Sequence, residues 1–582
     1  DVTALSAVTT GAGGIHYNLS NATVGASTPG EVRYSTNAIL GASPDPVFPE
    51  SNDYESLIIK VDGVENVIAS TGADMLLIDE TEAAKNNTFT AGLGVDRIEY
   101  LNNFGGSIAA EPTVTIKVDN VAASLGGTDT VTMTGGRVGS TVAVDTLGGV
   151  EFIQLNENTA EGTREDDLLD VTSMAAGAVI SYIDGTVRDL GGTTHVTIQG
   201  LPQIEYIWAD GNDTVVVADA DTMNDNLRED TANATASRDL FLSTFIDFDQ
   251  LVNAGTNNAR QPFASQSAAN IDNAVNQQQF VWNLSKTGTG ADSDTVDYSQ
   301  ANDNISVVVE LDVTKPNQYV LVDGDGATFY SGLAGDLESA TDRIDTLVSV
   351  ERIVASIGES VLDLTGSTKG LEIKWSAFDA TQQVASLDRD VYTVRISDLT
   401  TASPLQRTFV EYRDAGLSAT VTQTQATWNR IEGSDFAEVV VMNSAHAMDA
   451  DTFNLRGGAN QVKYNELTKS ITLTLSVTDF VATSPTTTGI ITGEVQFQDG
   501  TGAGVEGPLI AGSQTHTIRS YTANNGIATG SLRIAASQDA EDTLKISGLD
   551  SKVFLLSEAG TVDNQITVRL GSGAAQNSVV LT

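Results

Sequence analysis

The 582 residues include 77 Asp and Glu against 30 Lys and Arg, a formal net charge of −47, and no cysteine. That balance excludes nucleic acid and anionic membrane surfaces as partners, and the missing thiols exclude disulfides, thiol nucleophiles and cysteine metal sites. Hydrophobic residues make up 40% of the chain and fall in β-branched runs, which excludes a disordered acidic chain, while no apolar run reaches the roughly 18 to 20 residues of a membrane span.

Taken in order, the first 218 residues predict short strands separated by Gly and Asp turns. Five segments share one frame around a glutamate, with apolar residues at −4, −1 and +2: they centre on Glu65, Glu99, Glu151, Glu205 and Glu351. Apolar residues at −1 and +2 cannot share one face of a straight strand, so each segment is expected to bend at its glutamate. The glutamates are read as corner residues that accept backbone N–H bonds, with ion ligation as the alternative. Their spacing is too uneven for identical coils, which predicts irregular, decorated repeats. Downstream turns add acids at Asp74, Asp210 and Asp213.

Residues 219–285 break the β pattern. Apolar residues at helical spacing in Asp239–Leu251 and an Ala/Asn/Gln-rich stretch predict a small, partly helical insertion. Residues 286–477 return to strands. Here Gly288 to Ser299 places Asp292, Asp294 and Asp297 in alternation, Ile305 to Leu311 alternates with period two, Asp323 and Asp325 sit between glycines, and Asp345 to Ser356 closes the unit. Around Asn460 and Lys463 the expected acids are replaced, so that module keeps a strand and loses an ion site. Residues 478–512 are rich in Thr, Gly and Pro and are expected to be a loop or hairpin linker, followed by a C-terminal β module over 513–582.

The order of residues from Asp292 to Ser356 resembles the divergent repeats of the repeats-in-toxin (RTX), hemolysin-type calcium-binding family, as found in bacterial S-layer and surface-adhesin proteins. The resemblance implies an all-β fold, a modular parallel β-solenoid or β-roll. It also implies Ca2+ as the bound ion, with Asp292, Asp294, Asp297, Asp323, Asp325, Asp74, Asp210 and Asp213 as its candidate ligands. Closely spaced Asp side chains and carbonyls in Gly turns can supply the six to eight oxygens calcium needs. The same residues also fill turns by bonding local backbone. The tandem nonapeptide of the family is not present in series, so a regular calcium ladder is not implied.

No enzyme is expected. His16, His195, His446 and His516 form no zinc spacing, and no nucleophile elbow or phosphate-binding loop occurs. The scattered Trp208, Trp282, Trp375 and Trp428 are expected in cores. The expected function is that of an exported structural protein, secreted to the bacterial cell surface, that self-assembles into a layer, sheet or filament with calcium bridging acidic sites. Cell-surface polysaccharide is a further candidate partner. An RTX-type adhesin segment, a β-helical polysaccharide enzyme and a fibre protein are the alternatives. The chain begins at Asp1 without a basic-then-apolar leader, as a processed or partial product would.

Overall fold

Period-two alternation and β-branched density give a nearly all-β protein. The computed structural model describes residues 14–19, 31–35, 54–60, 64–78, 86–100, 113–134, 143–155, most of 168–217, 278–283, and most of 294–309, 318–324 and 343–376. Beyond these it describes 389–399, 406–414, most of 426–442 and 452–464, and the strands between 471 and 581. Among the described residues the helical structure is 3-10 only, at the turn Ala123–Leu125 and at Leu201, and none is long and apolar enough to cross a membrane. The helical stretches expected within 219–285 lie outside the described residues, apart from the end of that span, where Gln278–Asn283 is a strand.

The chain divides into two compact units, one comprising Asp1–Thr295 with Leu337–Ser349 and the other Val296–Asp336 with Val350–Thr582. In the first unit, Gly14–Asn18, Met75–Ile78, Arg97–Tyr100, Phe152–Leu155 and Thr194–Gln199 pair successively in parallel. Between them in sequence lie strands of a second ladder: Asn66–Ile68, Thr88–Thr90 and Ala143–Gly148 pair in parallel, as do Thr113–Lys117, Leu168–Asp170 and Tyr206–Trp208. Successive single strands therefore alternate between two sheets.

Antiparallel meanders interrupt this alternation in a consistent way. Thr113–Lys117, Thr128–Thr134 and Ala143–Gly148 form one; its last strand pairs back to Thr88–Thr90 while its first pairs forward to Leu168–Asp170. Ala178–Ser181, Thr186–Asp189 and Thr194–Gln199 repeat the arrangement, pairing back to Phe152–Leu155 and forward to Thr214–Val216. Each meander adds two strands within one sheet before the chain crosses over. One such meander lies between Glu99 and Glu151 and another between Glu151 and Glu205, and they lengthen those two intervals.

The second unit uses the same plan. Leu371–Trp375, Glu438–Val441, Ala459–Lys463, Ser531–Ala535 and Asn577–Leu581 are parallel neighbours. So are Asn304–Val309, Ser360–Asp363, Trp428–Glu432, Thr452–Asn454 and Thr515–Thr522. The expected linker over 478–512 contains Gly489–Phe497, the middle strand of a meander between Ile471–Thr478 and Thr515–Thr522. Its Ile490, Ile491 and Val495 supply the β-branched residues that the Thr/Gly/Pro count obscured.

In-register stacking builds the cores. Tyr17, Leu76, Ile98, Ile153 and Ile198 occupy matched positions on consecutive parallel strands, and all are buried. Val307, Leu362, Ile431 and Phe453 do the same in the second unit. At about 25 cal/mol per Å² of apolar surface removed from water, such columns are a main source of stability. Trp375 and Trp428 belong to this core: Trp375 lies 6.0 Å from Phe453 and Trp428 lies 5.4 Å from Phe409, ring centre to ring centre. Their indole N–H groups are satisfied within it: Trp375 donates to buried Glu411 (3.2 Å) and Trp428 to the Val410 carbonyl (3.1 Å).

Candidate functional site

An acidic residue directly precedes several strands of the first parallel ladder. A carboxylate there can reach along the ladder, because neighbouring parallel strands lie only about 4.8 Å apart. Asp74 precedes Met75–Ile78, Asp96 precedes Arg97–Tyr100, and Glu151 precedes Phe152–Leu155; the strand pairing puts the three side by side. The backbone N–H of Ile15 donates to Asp74 Oδ1 at 2.6 Å. That of Asp74 donates to Asp96 Oδ1 at 2.7 Å, and that of Asp96 to Glu151 Oε2 at 2.8 Å. Each acid pins the entry of the preceding layer.

The device recurs. Ala178 N–H donates to Asp213 Oδ1 and Asp213 N–H to Asp294 Oδ1, both at 2.7 Å. In the second sheet of the same unit, Asn87 N–H donates to Asp145 Oδ1 at 2.9 Å, and Tyr100 donates its hydroxyl to Asp145 Oδ2 at 3.1 Å. In the second unit, Glu438 N–H donates to Asn460 Oδ1 at 3.0 Å, so an amide stands where the first unit has an acid. A serine four residues earlier braces two of these carboxylates: Ser70 N–H donates to Asp74 Oδ2 at 2.7 Å, and Ser434 N–H to Glu438 Oε1 at 3.0 Å.

The turns feeding these acids stack backbone on backbone. A Cβ built on Gly94, whose φ is +133°, would lie 2.3 Å from the Gly72 carbonyl oxygen; on Gly211, at φ +114°, it would lie 2.5 Å from the Gly177 nitrogen. Only glycine combines that backbone conformation with that closeness. The local signature is Gly-x-acid immediately before a strand: Gly72-Ala-Asp74, Gly94-Val-Asp96, Gly149-Val-Glu151 and Gly211-Asn-Asp213.

Burial dominates the electrostatics. Asp74 and Asp96 are fully buried. Desolvation pushes the Asp74 carboxyl up to about 6 against the lowering effect of its N–H and O–H donors. It pushes Asp96 up to about 8, with the charges of Asp74 and Glu151 adding to the rise and the Asp74 N–H opposing it. Glu151 is raised for the same first reason. Asp96 Oδ2 is buried without a hydrogen-bond partner among the described residues. At neutral pH, Asp96 is therefore mostly protonated, and the column does not require every acid to be ionised.

The candidate calcium residues fall in different places. Asp74, Asp213 and Asp294 are members of the pinning columns, with carboxylate oxygens accepting N–H donors. Asp210 is buried in the turn before Asp213. Asp297 ends the strand Thr295–Asp297, is buried, and accepts the Ser299 N–H at 2.8 Å. Asp323 lies on the strand Gln318–Gly324 with its side chain undescribed, and Asp292 and Asp325 lie outside the described residues. Among the described residues no three His, Cys, Asp or Glu side chains converge as a metal centre.

The glutamates aligned by sequence are not structurally equivalent. Glu65 is exposed ahead of a strand of the second ladder, Glu99 is buried inside the strand Arg97–Tyr100, and Glu151 is the corner acceptor the sequence frame predicts. Glu205 and Glu351 lie outside the described residues. Asp96, Asp145 and Glu438 escaped the glutamate frame; the Gly-x-acid triplet would have found Asp96.

The fold and these columns define a nearly all-β protein whose parallel strands are held in register by buried carboxyl and amide acceptors. Comparison with protein-family models and with curated proteins gives no match.

Proposed function

We propose that each unit is an irregular two-sheet parallel β-solenoid, and that the chain is an exported structural protein that self-assembles at the bacterial surface into a layer, sheet or filament. The observation carrying this reading is the pinning column at Ile15, Asp74, Asp96 and Glu151, which spends buried acids on holding strand layers together. Buried carboxyls used in that way serve rigidity and register. The in-register apolar columns support the same reading, since stacked layers extend by addition and resist bending.

A subunit of charge −47 repels its copies. The repulsion is screened over about 8 Å at physiological ionic strength and is relieved further by divalent cations held between facing acids. Calcium is the cation this reading assigns to that role. It takes oxygen ligands, and Asp292, Asp323 and Asp325 of the RTX-like stretch are the acids this reading assigns to it.

The test is negative-stain electron microscopy of the full chain, dialysed against chelator and then returned to millimolar calcium. Ordered sheets or filaments that form with calcium and disperse with chelator are the expected result, with assembly weakened in a chain carrying Asp292→Asn and Asp325→Asn. Dispersed, folded particles under both conditions, at low and high salt, would overturn the proposal.

A further inference from the structure

Among the described residues, both units repeat one strand order. The first runs from the meander Gly14–Asn18, Glu31–Ser35, Tyr54–Lys60 through four single strands to a meander in its other ladder, then through two single strands to the meander that opens at Ala178–Ser181. The second unit does the same, from the meander that opens at Leu371–Trp375 to the one that opens at Val553–Ser557. Three of these opening strands take a parallel neighbour that carries a buried acid at its start. Gly14–Asn18 takes Met75–Ile78 after Asp74, Ala178–Ser181 takes Thr214–Val216 after Asp213, and Leu371–Trp375 takes Glu438–Val441. Among the described strands, Val553–Ser557 pairs only with Ile566–Leu570, so it offers the same edge without such a neighbour.

Register carries the equivalence down to single residues. Tyr17 stands opposite Leu76, Ile180 opposite Val215 and Ile373 opposite Val440. Ile180 pairs across its meander through Val187 to Val196, two residues before the Ile198 that pairs back to Ile153. Leu555 pairs through Val568 to Val579, two residues before the Leu581 that pairs back to Ile534, and so holds the position of Ile180. Tyr17 differs from its equivalents in chemistry: its hydroxyl is buried with no hydrogen-bond partner among the described residues, which disfavours this meander in its place. The other ladder has a matching pair of edges. Leu168–Asp170 pairs forward to Tyr206–Trp208, and Ser360–Asp363 to Trp428–Glu432. Their equivalents are Thr543–Ser547, which pairs back to Ile471–Thr478, and Asn66–Ile68, which pairs forward to Thr88–Thr90.

We infer that copies of the chain join head to tail by strand exchange: Val553–Ser557 of one copy takes Met75–Ile78 of the next and displaces that copy's own meander over residues 14–60, while Thr543–Ser547 takes Asn66–Ile68. Exchange keeps the pairing of the first ladder, because one meander replaces its equivalent. It adds a parallel pair in the other ladder, and it sets Leu555 against Leu76 in place of Tyr17, returning the unpaired hydroxyl to water. Main-chain bonds along an edge give such a contact its strength and the register gives it specificity. A head-to-tail contact repeats from copy to copy, as a two-fold contact does not. The inference rests on the self-assembly reading and names the contact through which assembly proceeds.

The chain has no cysteine, so single substitutions trap the contact cleanly. Full chains carrying Leu555→Cys are mixed with full chains carrying Leu76→Cys, at high salt and in chelator under mild oxidation, and disulfide-linked heterodimers are scored on non-reducing gels with peptide mapping. Circular dichroism confirms folding of each variant. Should either misfold, Leu544→Cys with Val67→Cys tests the other ladder, where the same count sets those two residues opposite one another. The expected result is linkage in the first mixture and about tenfold less in the control mixture of Leu556→Cys with Leu76→Cys, because adjacent residues of a strand face opposite sides. Adding Tyr17→Leu to the Leu76→Cys chain improves that copy's own meander and is expected to cut the linked fraction about tenfold. Equal linkage in both mixtures, or linkage that Tyr17→Leu does not change, would overturn the exchange. Calcium-dependent sheets or filaments without these links would overturn it and leave self-assembly standing. Monomers under every condition, calcium included, would overturn both.

Discussion

The backbone N–H of Asp74 donates to the Oδ1 of Asp96 at 2.7 Å, joining two fully buried acids on adjacent parallel strands. A carboxyl oxygen is a good acceptor in either protonation state, but only the neutral group is cheap to bury. The column therefore exchanges a cost in ionisation for fixed register between layers. It should leave a signature in the pH dependence of stability.

Well below pH 4, Asp74 and Asp96 are protonated in both the folded and the unfolded chain. As pH rises from there, the unfolded chain releases protons that the folded chain retains until about 6 at Asp74 and about 8 at Asp96. Stability contributed by these groups is thus present at low pH and is lost as pH climbs through that window. Asp129, raised by burial to about 7, acts in the same direction. Asp96→Asn keeps an acceptor for Asp74 and cannot ionise. Its melting temperature is expected to match the unaltered protein near pH 3 and to exceed it by a growing margin up to about pH 8. Parallel melting curves across that range would show that Asp96 does not titrate as its burial requires.

The all-β class was legible because strand periodicity is local: residues such as Ile305 to Val309 carry it within a few positions. The Gly-x-acid triplets were legible too, although a frame built on glutamates passed over Asp96 and grouped exposed Glu65 with buried Glu99. The meanders were not legible. Thr113–Lys117 pairs forward to Leu168–Asp170 while Ala143–Gly148 pairs back to Thr88–Thr90, a choice set by packing between distant segments and by no short motif. Asp292 and Asp74 both looked like calcium ligands from their turns. Only the register between strands distinguishes an acid that pins a neighbour, as Asp74 does.

Gly94 is required by both its backbone and its neighbour. At φ +133° with a Cβ position 2.3 Å from the Gly72 oxygen, Gly94→Ala is expected to lose about 1 to 3 kcal/mol from backbone strain, with the displaced turn adding to that. The same substitution at Gly126, also at positive φ but with nothing within 4 Å of its Cβ position, should cost less. Urea denaturation of the two variants gives the comparison. Equal midpoints would mean that the stacked turns are not tightly packed.

In the second unit, Asn460 accepts the Glu438 N–H and donates its side-chain amide to the Leu455 carbonyl. Asn460→Asp removes that donor and sets a second carboxyl beside fully buried Glu438. The variant is expected to be destabilised by about 1 to 3 kcal/mol at neutral pH, with part of the loss recovered on acidification as the new carboxyl is neutralised. Unchanged stability at pH 8 in chemical denaturation would remove the amide from the pinning scheme.

Asp74 distinguishes pinning from calcium ligation most sharply, because its oxygens take the Ile15 N–H and both donors of Ser70. The deciding measurement is the thermal unfolding of the unaltered chain and Asp74→Asn, each in chelator and in millimolar calcium. If Asp74 is a pin, calcium acts at other acids and shifts both melting temperatures by the same amount. A calcium-induced rise in the unaltered protein that vanishes in Asp74→Asn would make the carboxylate an ion ligand and contradict the account.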